Sequence, residues 1–227
     1  MDTLNQIAQD ILGIVKAKRV DDYNVSAAQV KRWINYSRAQ FIKNELNKKR
    51  AIDEDFIQDL GCVDLEKVPD AECGPSCITL RTCKEIPAPI ITNLGLAITR
   101  VGPVKILSRA FSFVPYRQAQ WSGNGRFANK QIFAYYLNGY IYIRITKDHT
   151  LAKALKVINI RGVFEDPESV NEFDDCGGSL CYDSGTKYPV KKWMINSIIN
   201  QVLEERFGIV ERATLDNKND EGDTMEV

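Results

Sequence analysis

Apolar residues near the start of the chain recur at spacings of three and four, the pattern of an amphipathic helix. The first such run comprises Leu4, Ile7, Ala8, Ile11, Leu12 and Val15. Ser26 and Gln29 then match a capping box, which predicts the start of a second helix. Its apolar face is predicted to carry Val30, Trp33, Ile34, Ser37, Phe41, Ile42 and Leu46, and its solvated side Arg38, Lys43, Lys48 and Lys49.

The pattern changes after residue 50 to short β-rich runs separated by turns. The runs at 132–137 and 140–145 flank Asn138-Gly139, a pair that favours a tight hairpin turn because both positions need positive φ. Residues 86–90 contain two prolines, which cannot donate to a sheet, so an edge or an extended arm is expected there. Further strands are predicted at residues 78–82, 97–101 and 156–164. The middle of the chain is therefore predicted to be mostly antiparallel β structure.

A last amphipathic helix follows a polar link at residues 168–188. Pro189 is predicted to lie in its first turn and Gly208 to end it. Its apolar face is predicted to carry Val190, Trp193, Met194, Ile198, Val202, Leu203 and Phe207. Helices at both ends with strands between them predict an α+β fold, in which terminal amphipathic helices form a helical bundle with an inserted, mostly antiparallel β domain.

This pattern divides the chain into three parts. Residues 1–50 and 189–212 are expected to form the helical bundle, and residues 51–188 the inserted β-rich domain with long loops. Residues 213–227 are polar and acidic and are expected to be a flexible C-terminal tail. Three helices leave part of their apolar surface uncovered, and an exposed stripe would mark an interface with another subunit.

Composition narrows the functional classes. Of the 227 residues 44% are apolar and 26% charged, which is ordinary for a globular protein. The 30 basic and 30 acidic residues balance, so no overall charge draws the chain onto nucleic acid. No run reaches the ~20 apolar residues that a membrane span needs, and the first residues do not resemble a signal peptide. We therefore expect a cytosolic, reducing environment and cysteines that are mainly thiols.

The cysteines nevertheless allow a metal site. Cys73 and Cys77 form one close pair, and Cys176 and Cys181 form another. Two such pairs can provide four thiolates for zinc, although both spacings are wider than the Cys-x2-Cys knuckle of zinc ribbons. Ordinary thiols or a disulfide are the alternatives, and we expect that no metal or other cofactor is bound.

No catalytic residue is predicted, so the protein is not expected to be an enzyme. The single histidine, His149, has no evident nucleophile or orienting carboxylate and is expected in a surface turn. Residues 117–127 mix arginine, aromatic and glycine residues, and a surface loop that touches another protein explains them better than single-strand nucleic-acid binding does. Core packing or subunit contact is likewise expected for the alternating Tyr135, Tyr136, Tyr140 and Tyr142.

Several short segments of the sequence resemble those of a known protein family. The segments that carry the resemblance are residues 81–91 (Arg-Thr-Cys-Lys-Glu-Ile-Pro-Ala-Pro-Ile-Ile), Val101-Gly102-Pro103, Leu137-Asn138-Gly139 and residues 161–167 (Arg-Gly-Val-Phe-Glu-Asp-Pro). With helices at both ends and a β insertion, the chain resembles the head-to-tail connector proteins of short-tailed phages, called adaptor, tail tubular or ring proteins. The resemblance is closest to ring proteins of crAss-like phages of gut bacteria, and it covers residues 1–208.

The resemblance implies a virion structural protein, a subunit of a connector ring that is attached to the portal and extends the DNA channel toward the tail. It implies a ring of commonly twelve copies, contacts with the portal protein and with neighbouring tail or ring proteins, and DNA that passes without sequence-specific binding. The protein would be made in the cytoplasm of the bacterial host and lie at the head–tail junction. The alternative is an intracellular, zinc-stabilised protein-binding module.

Overall fold

A computed structural model of the chain describes residues 2–18, 25–48, 51–68, 77–105, 108–119, 121, 131–146, 154–173, 182 and 185–209. Within these residues there are four α-helices: α1 (Leu4–Lys18), α2 (Ala27–Asn47), α3 (Tyr116–Ala119) and α4 (Lys192–Phe207). Two 3-10 helices span Glu54–Phe56 and Pro167–Glu172. In the described part of the chain, none of the helices combines the length and the apolar character needed to cross a membrane.

The same residues form ten strands, several of them only two residues long. They are β1 (Gln58–Asp59), β2 (Val63–Lys67), β3 (Cys77–Thr82), β4 (Ile91–Thr92), β5 (Gly95–Leu96), β6 (Ile98–Gly102), β7 (Ser112–Phe113), β8 (Phe133–Leu137), β9 (Tyr140–Thr146) and β10 (Val157–Gly162). Eight of them belong to one sheet, and β4 and β5 pair with each other as a separate hairpin.

The large sheet is organised around β10, the last strand among the described residues. β1 and β2 pair in succession with one edge of β10, and β6 pairs with the other edge. From β2 the sheet continues through β3, β9 and β8, all antiparallel, and ends with β7, which is parallel to β8. The Phe111 amide, just before β7, donates to the Val101 carbonyl oxygen of β6 at 2.8 Å. The sheet therefore curls until its two ends meet.

Two hydrophobic cores stabilise this arrangement. The inner face of the sheet supplies the first core, which contains Ile141, Ile143 and Ile145 of β9 and Ile158 and Ile160 of β10, all fully buried. The buried faces of α1, α2 and α4 share the second core. Residues from the β-rich region also enter this second core, namely Phe56, Ile90, Ala97 and Val163. The helices and the sheet are thus joined by apolar contacts.

Several expectations from the sequence are confirmed. The class is α+β with a mostly antiparallel sheet. Ser26 and Gln29 form the predicted capping box at the start of α2. Asn138 and Gly139 connect β8 to β9 with φ of 49° and 85°, the positive values that a type I′ turn needs. Gly208 ends α4 in a left-handed conformation.

The prediction that Arg38 lies on the solvated side of α2 is wrong, because this side chain is completely buried. Its Nε donates to the Pro189 carbonyl oxygen at 2.8 Å, and its Nη1 donates to the Phe164 carbonyl oxygen at 2.9 Å. The Tyr188 ring lies under the guanidinium, with 5.8 Å between Cζ and the ring centroid. Burial lowers the pKa of Arg38, but an arginine starts so high that the group stays charged.

The Tyr188 hydroxyl continues the same polar network. It donates to Oδ1 of Asn35 at 2.8 Å, and Nδ2 of Asn35 donates to Oδ1 of Asp166 at 2.8 Å. Burial raises the pKa of Tyr188 far above its ordinary value, so the hydroxyl stays protonated and remains a donor. The network ties α2 to the segment after β10 and to the segment before α4.

Two details at the start of the last helix also differ from the prediction. α4 begins at Lys192, so Pro189 precedes the helix and its carbonyl oxygen is free to accept from Arg38. Trp193 was expected on the apolar face but is 61% exposed. The buried stripe of α4 follows Met194, Ile198 and Val202 at spacings of four, and Trp193 lies about 100° around the helix from Met194.

We expect Arg38→Ala to lower the free energy of unfolding by about 2–5 kcal/mol, because it leaves two buried carbonyl oxygens without a donor. The exposed Arg32 on the same helix provides the matched control, and Arg32→Ala should change stability by no more than about 0.5 kcal/mol. Denaturant unfolding of both variants measures the difference. Equal midpoints for the two variants would show that the buried network contributes nothing.

The two tryptophans of the helices should respond differently to truncation. Trp33 is half-buried and meets Phe207 edge to face at 5.6 Å between ring centroids, so Trp33→Ala should cost about 2–3 kcal/mol, below the ~3–5 of a fully buried ring. Trp193→Ala should stay within about 0.5 kcal/mol. Thermal melts of both variants test this, and a large loss for Trp193→Ala would contradict the exposed position.

Candidate assembly surfaces

The outer face of the large sheet carries a row of polar and aromatic side chains. Strand register places Glu66 of β2 opposite Arg81 of β3, Arg81 opposite Tyr142 of β9, and Tyr142 opposite Tyr135 of β8. Tyr116 of α3 extends the row beyond β8. We call these five residues the aromatic row. The row crosses four strands, so the fold brings together residues from distant parts of the sequence.

Close ring contacts hold the aromatic row in place. Tyr135 and Tyr142 stack with 5.2 Å between ring centroids and 7° between their planes. The Tyr116 ring lies 5.8 Å from the Tyr135 ring at 48°. Such pairs add about 0.5–1.5 kcal/mol beyond the area they bury. The rings are therefore fixed in position while remaining partly open to solvent.

Arg81 adds a fixed positive charge to the row. Its Nε lies 2.6 Å from Oε1 of Glu66, and its guanidinium lies 5.2 Å from the centroid of the Tyr140 ring. Hydrogen bonds raise the pKa of Arg81; the bond to Glu66 has the larger effect and the bond to Tyr142 the smaller one. Rigid tyrosine and arginine side chains are enriched where protein interfaces bind most strongly. The aromatic row is thus suited to contact another protein.

The structure separates the four tyrosines of the hairpin. Tyr135, Tyr140 and Tyr142 lie on the outer face, whereas Tyr136 faces inward against the sheet core. Burial raises the pKa of Tyr136, as do the nearby carboxylates of Glu85 and Glu165. Core packing thus accounts for Tyr136, whereas the other three are partly exposed on the outer face.

A second surface lies beside the N-terminal half of α2. A groove of about 550 Å³ runs between α2 and the segment after β10. Lys31 and Arg32 line its helical side and Glu165 and Glu168 the other, with 3.6 Å between Nζ of Lys31 and Oε1 of Glu168. Alanines and Tyr36 contribute apolar surface. The groove is open and its charges face one another.

The cysteines give no sign of a metal centre in the part of the structure that can be described. Cys73, Cys176 and Cys181 lie outside the described residues, and of Cys77 only the backbone, at the start of β3, can be placed. No group of three or more His, Cys, Asp or Glu side chains among the described residues is placed to hold a metal ion. The zinc hypothesis therefore remains untested.

Cys62 and Cys83 line a small cavity of about 120 Å³. Cys62 is disulfide-bonded, so the expectation that the cysteines are mainly thiols is wrong for this residue. Cys83 is a free cysteine. Desolvation raises the pKa of its thiol, and the carboxylates of Glu66 and Asp64 add to that effect. The thiol is therefore poorly ionised at neutral pH, which makes it a weak nucleophile.

Two other candidates from the sequence fall largely outside the described residues. His149 is one of these undescribed residues, so its expected place in a surface turn stays a prediction. In the 117–127 segment, Arg117 and Ala119 belong to α3, Trp121 is 78% exposed, and residues 122–127 are not described.

A comparison with protein families identifies the chain. The family model described as phage tail ring protein 2, of the crAss-like ring group, matches residues 6–225. The chain belongs to this phage tail ring protein family. The resemblance to crAss-like phage ring proteins is thereby confirmed, and the ring protein has a structural role in the phage tail. A search of the curated proteins found no match.

Membership of the family has direct structural consequences. A tail ring protein is a component of the virion and assembles as an oligomeric ring with other components of the phage tail. The family is a structural one and is not known for catalysis. This ring protein therefore acts through the surfaces that contact its neighbours. The aromatic row and the groove are the candidates for such surfaces.

Sequence reasoning missed two features of these surfaces. The aromatic row depends on strand register, and only the Tyr135 and Tyr142 pair could be read from the hairpin turn. Arg38, which is linked through Tyr188 to the groove residue Asn35, had a local signal, because it stands four residues from both Ile34 and Ile42 and so shares their buried face.

Replacing both Tyr135 and Tyr142 with threonine should leave the ring protein folded, because threonine favours strands and the two positions face outward. We expect incorporation into tail complexes to fall about 30-fold, equivalent to the ~2 kcal/mol of an interface hot spot. Co-sedimentation with assembled tail complexes measures this loss. Tyr136→Phe, which alters the inner face only, is the control, and unchanged incorporation of the double variant would exclude the aromatic row as an interface.

Proposed function

We propose that this ring protein is a subunit of a head-to-tail connector ring that is attached to the portal and extends the DNA channel toward the tail. The observation that carries the proposal is the family match over residues 6–225, nearly the whole chain. Two surfaces suited to protein contact, the aromatic row and the groove, support it. The aromatic row contributes no residue to either hydrophobic core, and of the residues that line the groove only Ala39 packs against the core of the helices.

We further propose that the subunit is organised as a helical bundle with an insertion. Residues 1–50 and 189–212 would form the bundle, and residues 51–188 the inserted β-rich domain. The shared core of α1, α2 and α4 supports this division, as does the separate core of the sheet. Ring contacts would be made by the bundle together with the segments of the β-rich domain that lie beside it, and contacts with adjoining tail components by the outer face of the sheet.

Charge balance fits a channel through which DNA moves. The chain has 30 basic and 30 acidic residues. Each phosphate that a protein neutralises adds to affinity, so a strongly basic lining would hold DNA in place rather than let it pass. In the proposed ring, DNA slides through without sequence-specific contacts.

The remaining parts of the proposal concern assembly. The ring would contain twelve copies, and the acidic residues 213–227 would form the tail that contacts the portal protein. The subunits would be made in the cytoplasm of the bacterial host and would occupy the head–tail junction of the virion.

Electron microscopy of the purified ring protein mixed with the portal protein tests this proposal. We expect a twelve-fold ring that caps the portal and continues its channel. A chain truncated after residue 212 is the informative variant: it should keep the wild-type melting temperature but bind the portal less tightly, because it lacks the acidic tail.

Failure of the wild-type protein to associate with the portal at every salt concentration would overturn the connector role. A ring of another copy number on the portal would correct the stoichiometry alone. A truncated chain that no longer melts cooperatively would show that residues 213–227 belong to the folded core.

A further inference from the structure

The β4–β5 hairpin presents apolar side chains to solvent. Ile91 is 60% exposed and Leu94 is 75% exposed. They lie within residues 86–99, the longest stretch of this chain without a charged side chain. Exposed apolar side chains concentrated in an uncharged segment are typical of a contact surface.

Hydrogen bonds hold the hairpin tip in one position. The Asn93 amide donates to Oδ1 of Asn47, the last residue of α2, at 2.9 Å. Within the turn, the Thr92 hydroxyl donates to the Gly95 carbonyl oxygen at 2.8 Å and accepts from the Leu94 amide at 3.2 Å. The tip is therefore ordered before it meets a partner, which lowers the entropic cost of binding.

The groove beside α2 matches an uncharged occupant. Its walls carry opposite charges, Lys31 and Arg32 on one side and Glu165, Asp166 and Glu168 on the other. Lys31 contacts Glu168, and Asp166 accepts from Asn35. A charged guest would meet like charge on one wall, whereas an uncharged guest leaves these pairs intact. The surface between the walls is provided by Ala28, Ala39 and the half-exposed Tyr36, against which aliphatic side chains can pack.

The hairpin and the groove lie at different positions along α2. Asn47, which holds the hairpin, is separated from the middle of the groove by roughly 20 Å at a rise of 1.5 Å per residue. One subunit can therefore offer its hairpin to one neighbour and its groove to another. A cyclic ring needs two such different, complementary patches, whereas a two-fold dimer uses one patch twice.

We propose that the β4–β5 hairpin of one subunit inserts into the groove between α2 and residues 165–168 of the next subunit, with Leu94 against Ala28 and Tyr36. This contact repeats around the ring and sets the spacing of the subunits. The inference rests on the ring assembly within the proposed function but does not depend on attachment to the portal.

Cysteine cross-linking tests the contact in the full-length chain. Leu94→Cys and Ala28→Cys are combined in a Cys83→Ser background, which removes the one free thiol among the residues that the structure describes. The protein is oxidised both alone at high concentration and mixed with the portal protein. Non-reducing gels should show a ladder of covalent oligomers that rises beyond the dimer. A mixture of the two variants that each carry one introduced cysteine should form dimers and nothing larger.

Two controls make the result specific. Trp121→Cys combined with Ala28→Cys places the cysteine at another highly exposed aromatic position and should give no ladder. Leu94→Asp should reduce ring assembly at least tenfold and leave the melting temperature unchanged, because the side chain is exposed in the free subunit.

The outcomes separate this inference from the connector role. A ladder without binding to the portal supports the hairpin–groove contact and counts against the portal attachment. Rings on the portal without a ladder overturn the contact and leave the connector role standing. The contact is also overturned if the variant with both introduced cysteines forms covalent dimers but no larger oligomers. The same holds if neither preparation gives a ladder.

Discussion

The packing of helices against sheet depends on one buried positive charge. Arg38 has left water completely, so its guanidinium must find acceptors inside the protein. Its Nε and Nη1 donate to the carbonyl oxygens of Pro189 and Phe164, in the segments that precede α4 and follow β10, while Nη2 is buried without a partner among the described residues. Any other orientation of α2 over the sheet would separate the charge from these acceptors. The apolar contacts of the second core favour packing of the helices against the sheet. The hydrogen bonds of Arg38 select one geometry for this packing.

Local patterns accounted for the elements that form through neighbouring residues. The spacing of apolar residues predicted α1 and α2, Ser26 predicted the start of α2, and Asn138-Gly139 predicted the turn between β8 and β9. The two-residue strands β1, β4, β5 and β7 were missed because so short a strand has no periodicity to read. The charge of Arg38 favours a surface position, whereas its place on the helix beside Ile34 and Ile42 favours the core. Its acceptors lie 126 and 151 residues away, beyond the reach of any local pattern.

The candidate surfaces, too, depend partly on local sequence patterns and partly on contacts between residues that are distant in the sequence. Tyrosines in the hairpin were predicted as core or contact residues, and the alternation of a strand explains why Tyr136 faces inward while Tyr135 and Tyr142 face outward. Tyr135 and Tyr142 lie beside Arg81 and Glu66 because of the register of four strands. That register cannot be predicted from local sequence patterns. Leu94 carried no signal as a contact residue in the sequence, because a single leucine in a polar turn is unremarkable until its exposure is known.

The position of β10 in the sheet has a consequence for how the subunit is made. β10 is synthesised after β1, β2 and β6, yet all three pair with it. While the ribosome has produced only the first 150 residues, these strands carry unpaired edges that can join other nascent chains. Completion of the sheet must wait for long-range pairing, which is intrinsically slow. Yield of the soluble subunit should therefore be limited by the interval before β10 emerges, and slower growth at low temperature should favour it.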